Sequence, residues 1–291
     1  MVRKAVIPAA GFGTRFLPFT KSVPKEMIPL VDKPVIQYVV EEAVAAGITD
    51  ILIVISTGKM AIQEHFNPEP GLMSRLEANG HTAWATELRA IEQMANLHYV
   101  YQQELKGLGD AVLQARSFVG DEPFAVLLGD TVTTSGTSSV IAQLISVYKK
   151  YNASVVALEQ IPWEKTNRYG VIDGIALDDG IQKVKTFIEK PAPDEAPSNL
   201  AIAARYLFTP EIFNFLANTT PGKGSEIQLT DAMCEMVKNT SMYGCLVDGR
   251  RHDIGNKLEF IKSTVEFGLK RPEFREELSV WLRKLTDQLE H

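Results

Sequence analysis

Cysteine is nearly missing. Cys234 and Cys245 stand alone among 291 residues, so no second pair completes a four-ligand zinc site. Without a secretory signal, a disulfide framework is not expected either. No stretch approaches the roughly 20 apolar residues of a membrane-spanning helix. An excess of positive charge is also lacking, since 30 Lys and Arg face 36 Asp and Glu for a formal net charge of −6. General nucleic-acid and membrane-surface binders need a net basic footprint, so neither partner is expected. The opening MVRKAVIPAAG runs from a short apolar stretch straight into a glycine turn. That is the form of a first core strand rather than of a signal peptide, and the expected compartment is the cytoplasm.

Two familiar phosphate loops are absent. The dinucleotide fingerprint G-x-G-x-x-G would need glycine at Phe16, and the P-loop would need Ser or Thr after a Gly-Lys pair. Gly58-Lys59 is followed by Met60, and Gly222-Lys223 by Gly224. What stands in their place is PAAGFGTRFLPFTKSVPKEM over residues 8–27. Gly11 and Gly13 allow several backbone N–H groups to approach one anion. A glycine pair also serves a plain tight turn with solvated charges around it. Arg15, Lys21 and Lys25, on a path stiffened by Pro18, Pro24 and Pro29, favour a preorganised polyphosphate site instead.

The rest of the chain alternates strand and helix patterns. Lys4 to Pro8 reads as a buried strand, and Pro34 opens a helical pattern with Asp32 as its candidate cap and Gly47 as its stop. ITDILIVIS is the next strand, followed by a helix at Lys59 to His65 and helical stretches between Leu72 and Met94. HYVYQQ, FAVLLGD and SVVALEQIP read as strands, separated by the helices GLGDAVLQARSFVG and SSVIAQLISVYKKY. Such alternation predicts an α/β fold with a mostly parallel Rossmann-like sheet and helices on both faces. YGVIDG and IQKVKTFIEK flank Asp178-Asp179-Gly180 as an antiparallel hairpin. Two helices, the strand YGCLVDG and a charged amphipathic helical stretch close the chain. The expected organisation is one α/β domain over residues 1–255, with a helical tail over 256–291 packed on it or forming an oligomer interface.

The loop, with its continuation GFGTRFLPFTKSVPKEMIPLVDKPVIQYVVEEAVAAGI, resembles the sugar-phosphate nucleotidylyltransferases, and in its longer form their bacterial uridylyltransferase branch. The resemblance runs from Ala5 to about Leu258 through KGLGDAV, VLLGD, YGVID, FIEKPAP, PSNLAI, RYLF, EIQLTDA and HDIGNKL. It implies Mg²⁺-dependent transfer of a uridylyl group from UTP to glucose 1-phosphate, giving UDP-glucose and pyrophosphate, by a homodimer or homotetramer. Thymidylyl transfer to the same sugar phosphate, or a catalytically weak nucleotide-sugar-binding relative, are the alternatives. Bringing two phosphates together is a problem of in-line positioning and charge neutralisation, which agrees with the lack of a nucleophilic triad.

By resemblance, Asp130 and Asp253 hold the metal, and Arg15, Lys25 and Lys190 neutralise phosphates, Lys25 on the triphosphate side and Lys190 at the sugar phosphate. Ala10, Gly11, Gly13 and Thr14 belong to the nucleotide loop. Gln102 and Gly107 face the base, and Gly170 and Glu189 face the sugar. Two positions depart from the family pattern: Thr131, where a second acid is common, and Asp110, where relatives commonly carry histidine and where an acid near phosphates is repulsive unless it faces away or meets a cation.

Overall fold

The computed structural model describes residues 1–178 and 180–289. Asp179, in the expected hairpin turn, and Glu290 and His291, at the end of the tail, lie outside the described residues. The strands are β1 Lys4–Pro8, β2 Pro29–Leu30, β3 Lys33–Pro34, β4 Asp50–Ile55, β5 Asn96–Tyr101, β6 Phe124–Leu127, β7 Thr131–Thr134, β8 Ser154–Gln160, β9 Gly170–Ala176, β10 Ile181–Glu189, β11 Leu200–Phe208, β12 Met242–Leu246 and β13 Arg250–Asp253. Nine of them form one sheet in the order β5-β4-β1-β6-β11-β8-β12-β10-β9.

Alternation within β1 and β4 sets the layers. Ala5, Ile7, Ile51 and Ile53 pack to one side against helices Val35–Ala45 and Val140–Tyr151. Val6, Leu52 and Val54 pack to the other, against helices Leu108–Leu113, Ile212–Asn218 and Leu229–Asn239. Both faces are covered, and for that reason the central strands read as continuous apolar runs rather than as alternating ones.

The parallel pairs are β5–β4, β4–β1, β1–β6 and β8–β12. β11 runs antiparallel to both β6 and β8, and β10 antiparallel to β12 and β9, so the half of the sheet beyond β6 is mixed. The sequence reading had no strand at β11. LAIAARYLF is as apolar as a buried helix segment, and period alone does not separate the two.

Two local expectations change, and one strand forms where no element was expected. GLGDAVLQARSFVG breaks into Leu108–Leu113 and Arg116–Val119 instead of forming one helix. Asp32 does not cap the first helix: Pro34 occupies the cap position without a side-chain bond, and Asp32 pairs instead with Arg271. Beyond FAVLLGD, residues Thr131–Thr134 form β7, which pairs with β13 outside the main sheet.

The C-terminal helices are Lys257–Lys270 and Pro272–Leu289. Asn256 starts the first, its Oδ1 accepting from the N–H groups of Leu258 at 2.9 Å and Glu259 at 3.2 Å. Its Phe267 packs with Ile28, Leu30 and Val132, which ties this helix to the PKEMIP segment and to β7. Among the described residues no helix is long and apolar enough to cross a membrane.

Candidate active site

The glycine loop leaves β1 at the carboxyl end of the parallel strands, where open α/β sheets collect ligands. An ideal Cβ on Gly11 would meet nothing within 4 Å, so the backbone there faces open space. The loop then folds into three single turns, Thr14–Phe16, Phe19–Lys21 and Lys25–Met27. The last sends adjacent side chains to different partners. Lys25 Nζ donates to Asp130 Oδ2 at 2.5 Å, while Glu26, fully buried, accepts from Lys59 Nζ at 2.7 Å.

The β7–β13 ladder brings the two metal candidates together. Asp253 is opposite Thr131, and Ile254 N donates to Asp130 O at 3.2 Å. An ideal Cβ on Gly255 would sit 3.1 Å from Asp253 Oδ1 and 3.2 Å from Asp130 Oδ2. The two carboxylates thus converge over Gly255, where a Cβ would crowd both oxygens. No cluster of three or more His, Cys, Asp or Glu exists among the described residues. A pair of carboxylates fits a hard cation that completes its shell with phosphate oxygens and water. Burial pushes Asp130 up, yet the charge and hydrogen bond of Lys25 outweigh it and hold the carboxyl below the ordinary aspartate range. Burial, and then the like charge of Asp130, push Asp253 above that range. The like charge of Asp130 is thus one cause of the rise at Asp253, and a bound cation would relieve that repulsion.

Two clefts meet at this pair. One, of about 390 Å³, is lined by Ala10, Gly11, Lys25, Gln102, Gly107 and Asp130. The other, of about 280 Å³, is lined by Arg15, Asp130, Gly170, Glu189, Lys190 and Asp253. Asp130 belongs to both. Gly107 has φ of +98°, and a Cβ on it would come within 2.8 Å of Glu226 Cβ, so glycine is required there on two counts. Lys190 Nζ lies 2.8 Å from Glu189 Oε1, and Glu189 Oε2 accepts from Thr230 Oγ1 at 2.8 Å. Gly13 and Thr14 line neither cleft. Gly13 supports the loop from within, its carbonyl accepting from Phe16 N at 2.9 Å and from Thr20 Oγ1 at 2.9 Å. Arg15, expected on the triphosphate side, lines the second cleft rather than the one that Lys25 lines.

A model of the nucleotidyl transferase family matches residues 4–267. The chain belongs to the nucleotidyl transferase family. The UTP–glucose-1-phosphate uridylyltransferase of Bacillus subtilis (strain 168) is 48% identical over 289 residues, covering 99% of each chain. A UDP-glucose pyrophosphorylase solved with UDP-glucose is 41% identical, spans 93% of this chain and 100% of its own, and superposes with a TM-score of 0.86. A UTP-bound UGPase from Acinetobacter baumannii is 35% identical over 98% of this chain and 100% of its own, with a TM-score of 0.91.

Some residues of this nucleotidyl transferase's site escaped the sequence reading. Arg251 lines the second cleft, stacks its guanidinium 4.2 Å from the Tyr169 ring centroid, and donates from Nε to Glu159 Oε1 at 2.5 Å. Its Nη1 lies 3.8 Å from Asp253 Oδ2. A signal was present: Arg251 stands two residues before Asp253 in RRHD, and residues i and i+2 of a strand share a face. Arg168 and Gln228 also line this cleft and carried no comparable signal. The Glu26–Lys59 pair beneath the loop was equally hidden. Both residues are buried, and nothing in their separation along the chain predicts the contact.

Proposed function

We propose that this nucleotidyl transferase moves a uridylyl group from UTP to glucose 1-phosphate, releasing pyrophosphate and forming UDP-glucose, with Mg²⁺ held by Asp130 and Asp253. The observation that supports this most directly is the pair of adjoining clefts joined at Asp130. One offers a side-chain amide and a lysine, the other the Glu189 carboxylate, a lysine and three arginines beside the two aspartates. A phosphate oxygen of glucose 1-phosphate attacks the α-phosphorus of UTP, a new P–O bond forms, and the bond to the bridging oxygen breaks with its electron pair leaving on pyrophosphate. Gln102 and Gly107 orient the base, while Glu189 accepts from sugar hydroxyls. Lys25 offsets charge on the triphosphate, Lys190 offsets it on the sugar phosphate, and Arg15, which lines the second cleft together with Asp130, offsets it where the two substrates meet. When bound, Mg²⁺ supplies charge neutralisation at the phosphate oxygens between the two aspartates.

The decisive test is pyrophosphate release over a grid of UTP, dTTP, CTP, ATP and GTP with glucose 1-phosphate, with and without Mg²⁺. UTP is expected first and dTTP a detectable second, because thymine has the same hydrogen-bonding edge as uracil and differs by a methyl. CTP, ATP and GTP should fall far behind, and chelation should abolish the signal. A preference for dTTP over UTP at equal concentration would overturn the uridylyl assignment and leave the nucleotidyl transfer standing.

The two lysines should separate by substrate. Losing one charge-assisted hydrogen bond costs about 1.5–3 kcal/mol, roughly 10- to 100-fold. In Lys190→Ala that loss is expected mainly in KM for glucose 1-phosphate, and in Lys25→Ala in UTP binding and turnover together. If Lys190→Ala weakened UTP binding and left the sugar-phosphate dependence intact, the two phosphate sites would have to be exchanged.

A further inference from the structure

Asp110 directly follows the KGLG segment, and beside phosphates a carboxylate there reads as repulsive. In the fold it lies buried in the first turn of helix Leu108–Leu113 and spends both oxygens on side-chain amides. Oδ2 accepts from Gln102 Nε2 at 2.6 Å, and Oδ1 accepts from Gln114 Nε2 at 3.3 Å. The same Gln102 Nε2 donates to Gly107 O at 3.2 Å.

A glutamine amide has two N–H donors on one side and a carbonyl acceptor on the other. Both Gln102 hydrogens meet groups that only accept, a backbone carbonyl and a carboxylate. Turning the amide over would set Oε1 against the same two oxygens, in a residue only 4% exposed, where unpaired acceptors are costly. The orientation is therefore settled by the chemistry of the neighbours rather than by the placement of nearly identical atoms. Oε1 is the amide atom left to face the cleft that Gln102 lines. Uracil presents a donor, N3–H, between two carbonyls. Cytosine presents a lone pair at N3 instead. A fixed acceptor pairs with the first and repels the second.

We infer that Asp110 is a positioning residue which sets the donor–acceptor sense of the Gln102 amide and so selects a uracil-type base over cytosine. This rests on the uridylyl assignment above. A carboxylate suits that task because it cannot reverse its role as a neutral amide or an imidazole can.

The test uses the full chain with UTP and CTP, measuring turnover and, separately, equilibrium nucleotide binding. Asp110→Asn keeps the shape but lets the two amides pair in either sense. The UTP:CTP ratio, in kcat/KM and in affinity, is expected to fall at least about tenfold, the scale of one buried group left unpaired. KM for glucose 1-phosphate should stay within about twofold, since neither residue lines the cleft assigned to that substrate. Gln102→Ala should lower the ratio by itself, and adding Asp110→Asn to it should change the ratio no further, as required of a residue that acts through Gln102. If Asp110→Asn does not fold, Asp110→Ser, whose hydroxyl both donates and accepts, serves in its place. An unchanged ratio in the single variant, a further fall in the Gln102→Ala background, or a wild type that binds CTP as well as UTP overturns the inference. Failure of the uridylyl assignment looks different: wild type would release pyrophosphate faster from dTTP than from UTP at equal concentration, while the UTP:CTP affinity ratio would still report on Asp110.

Discussion

Asp130→Asn is expected to lower turnover by at least about 100-fold while leaving the fold in place, the scale of removing one preorganised electrostatic contributor. The substitution preserves volume. It also preserves the backbone contact from Ile254 N to Asp130 O, so the β7–β13 junction should survive. What it removes is the charge. Asp130 Oδ2 is the oxygen that Lys25 holds and that converges with Asp253 above Gly255. An asparagine there offers one neutral oxygen to a cation and sets an N–H₂ against the Lys25 ammonium. Asp253→Asn should behave similarly, because one carboxylate of a two-carboxylate set is lost in either case. The measurement is pyrophosphate release as a function of Mg²⁺ concentration, with thermal unfolding as the control. Melting near that of wild type with turnover lost and more Mg²⁺ required is the expected result. A folded variant with near-normal turnover would take that aspartate out of the mechanism.

The largest loss of stability is expected at a residue that touches no substrate. Arg205 is fully buried in β11, and its Nε and Nη2 both donate to Glu42 Oε2, at 3.0 and 2.8 Å. Nη2 also donates to Thr131 O at 2.7 Å and Nη1 to Ala204 O at 3.0 Å. Arg205→Met strips these bonds and leaves the Glu42 carboxylate without a counter-charge, held only by the Thr133 hydroxyl that donates to Oε2 at 2.7 Å, with Oε1 already buried without a partner. Breaking one side of a buried ion pair costs about 3–5 kcal/mol, a large share of the roughly 5–15 kcal/mol that holds a domain folded. The double variant Arg205→Met with Glu42→Leu should recover most of the loss, since it leaves no charge behind. Urea unfolding of the two variants decides the matter. A double variant no more stable than the single would show that lost packing, and not the stranded charge, carries the cost. Turnover should also fall in the single variant, because the Thr131 carbonyl that Arg205 holds is next to Asp130.

These two sites show how unevenly the molecule can be read from its residues. The loop was legible because its chemistry is local: glycines, prolines and cations close together specify backbone shape and charge wherever the chain goes. Strands such as β1, β4 and β8 were legible for the same reason, as short apolar runs between turn signals. β11 was not, because its alanines and leucines suit helix and strand alike and only the empty place between β6 and β8 decides between them. Asp32 was misread as a cap because a helix start and a long-range ion pair use the same residue type.

By itself the sequence determined the α/β alternation, the phosphate loop and a set of polar residues whose type and motif suggested nucleotidyl transfer. It left open which of them meet. Contacts between residues distant in the chain depend on how strands pair and helices dock, and a residue carries no mark of its partner. Only the tertiary structure joined Asp130 to Asp253 through the β7–β13 ladder and set Lys25 on Asp130. Only there did Asp110, repulsive on paper, become the buried acceptor of the Gln102 amide. A carboxylate's effect is set by the donors and charges within a few ångströms of it, and those are supplied by the fold.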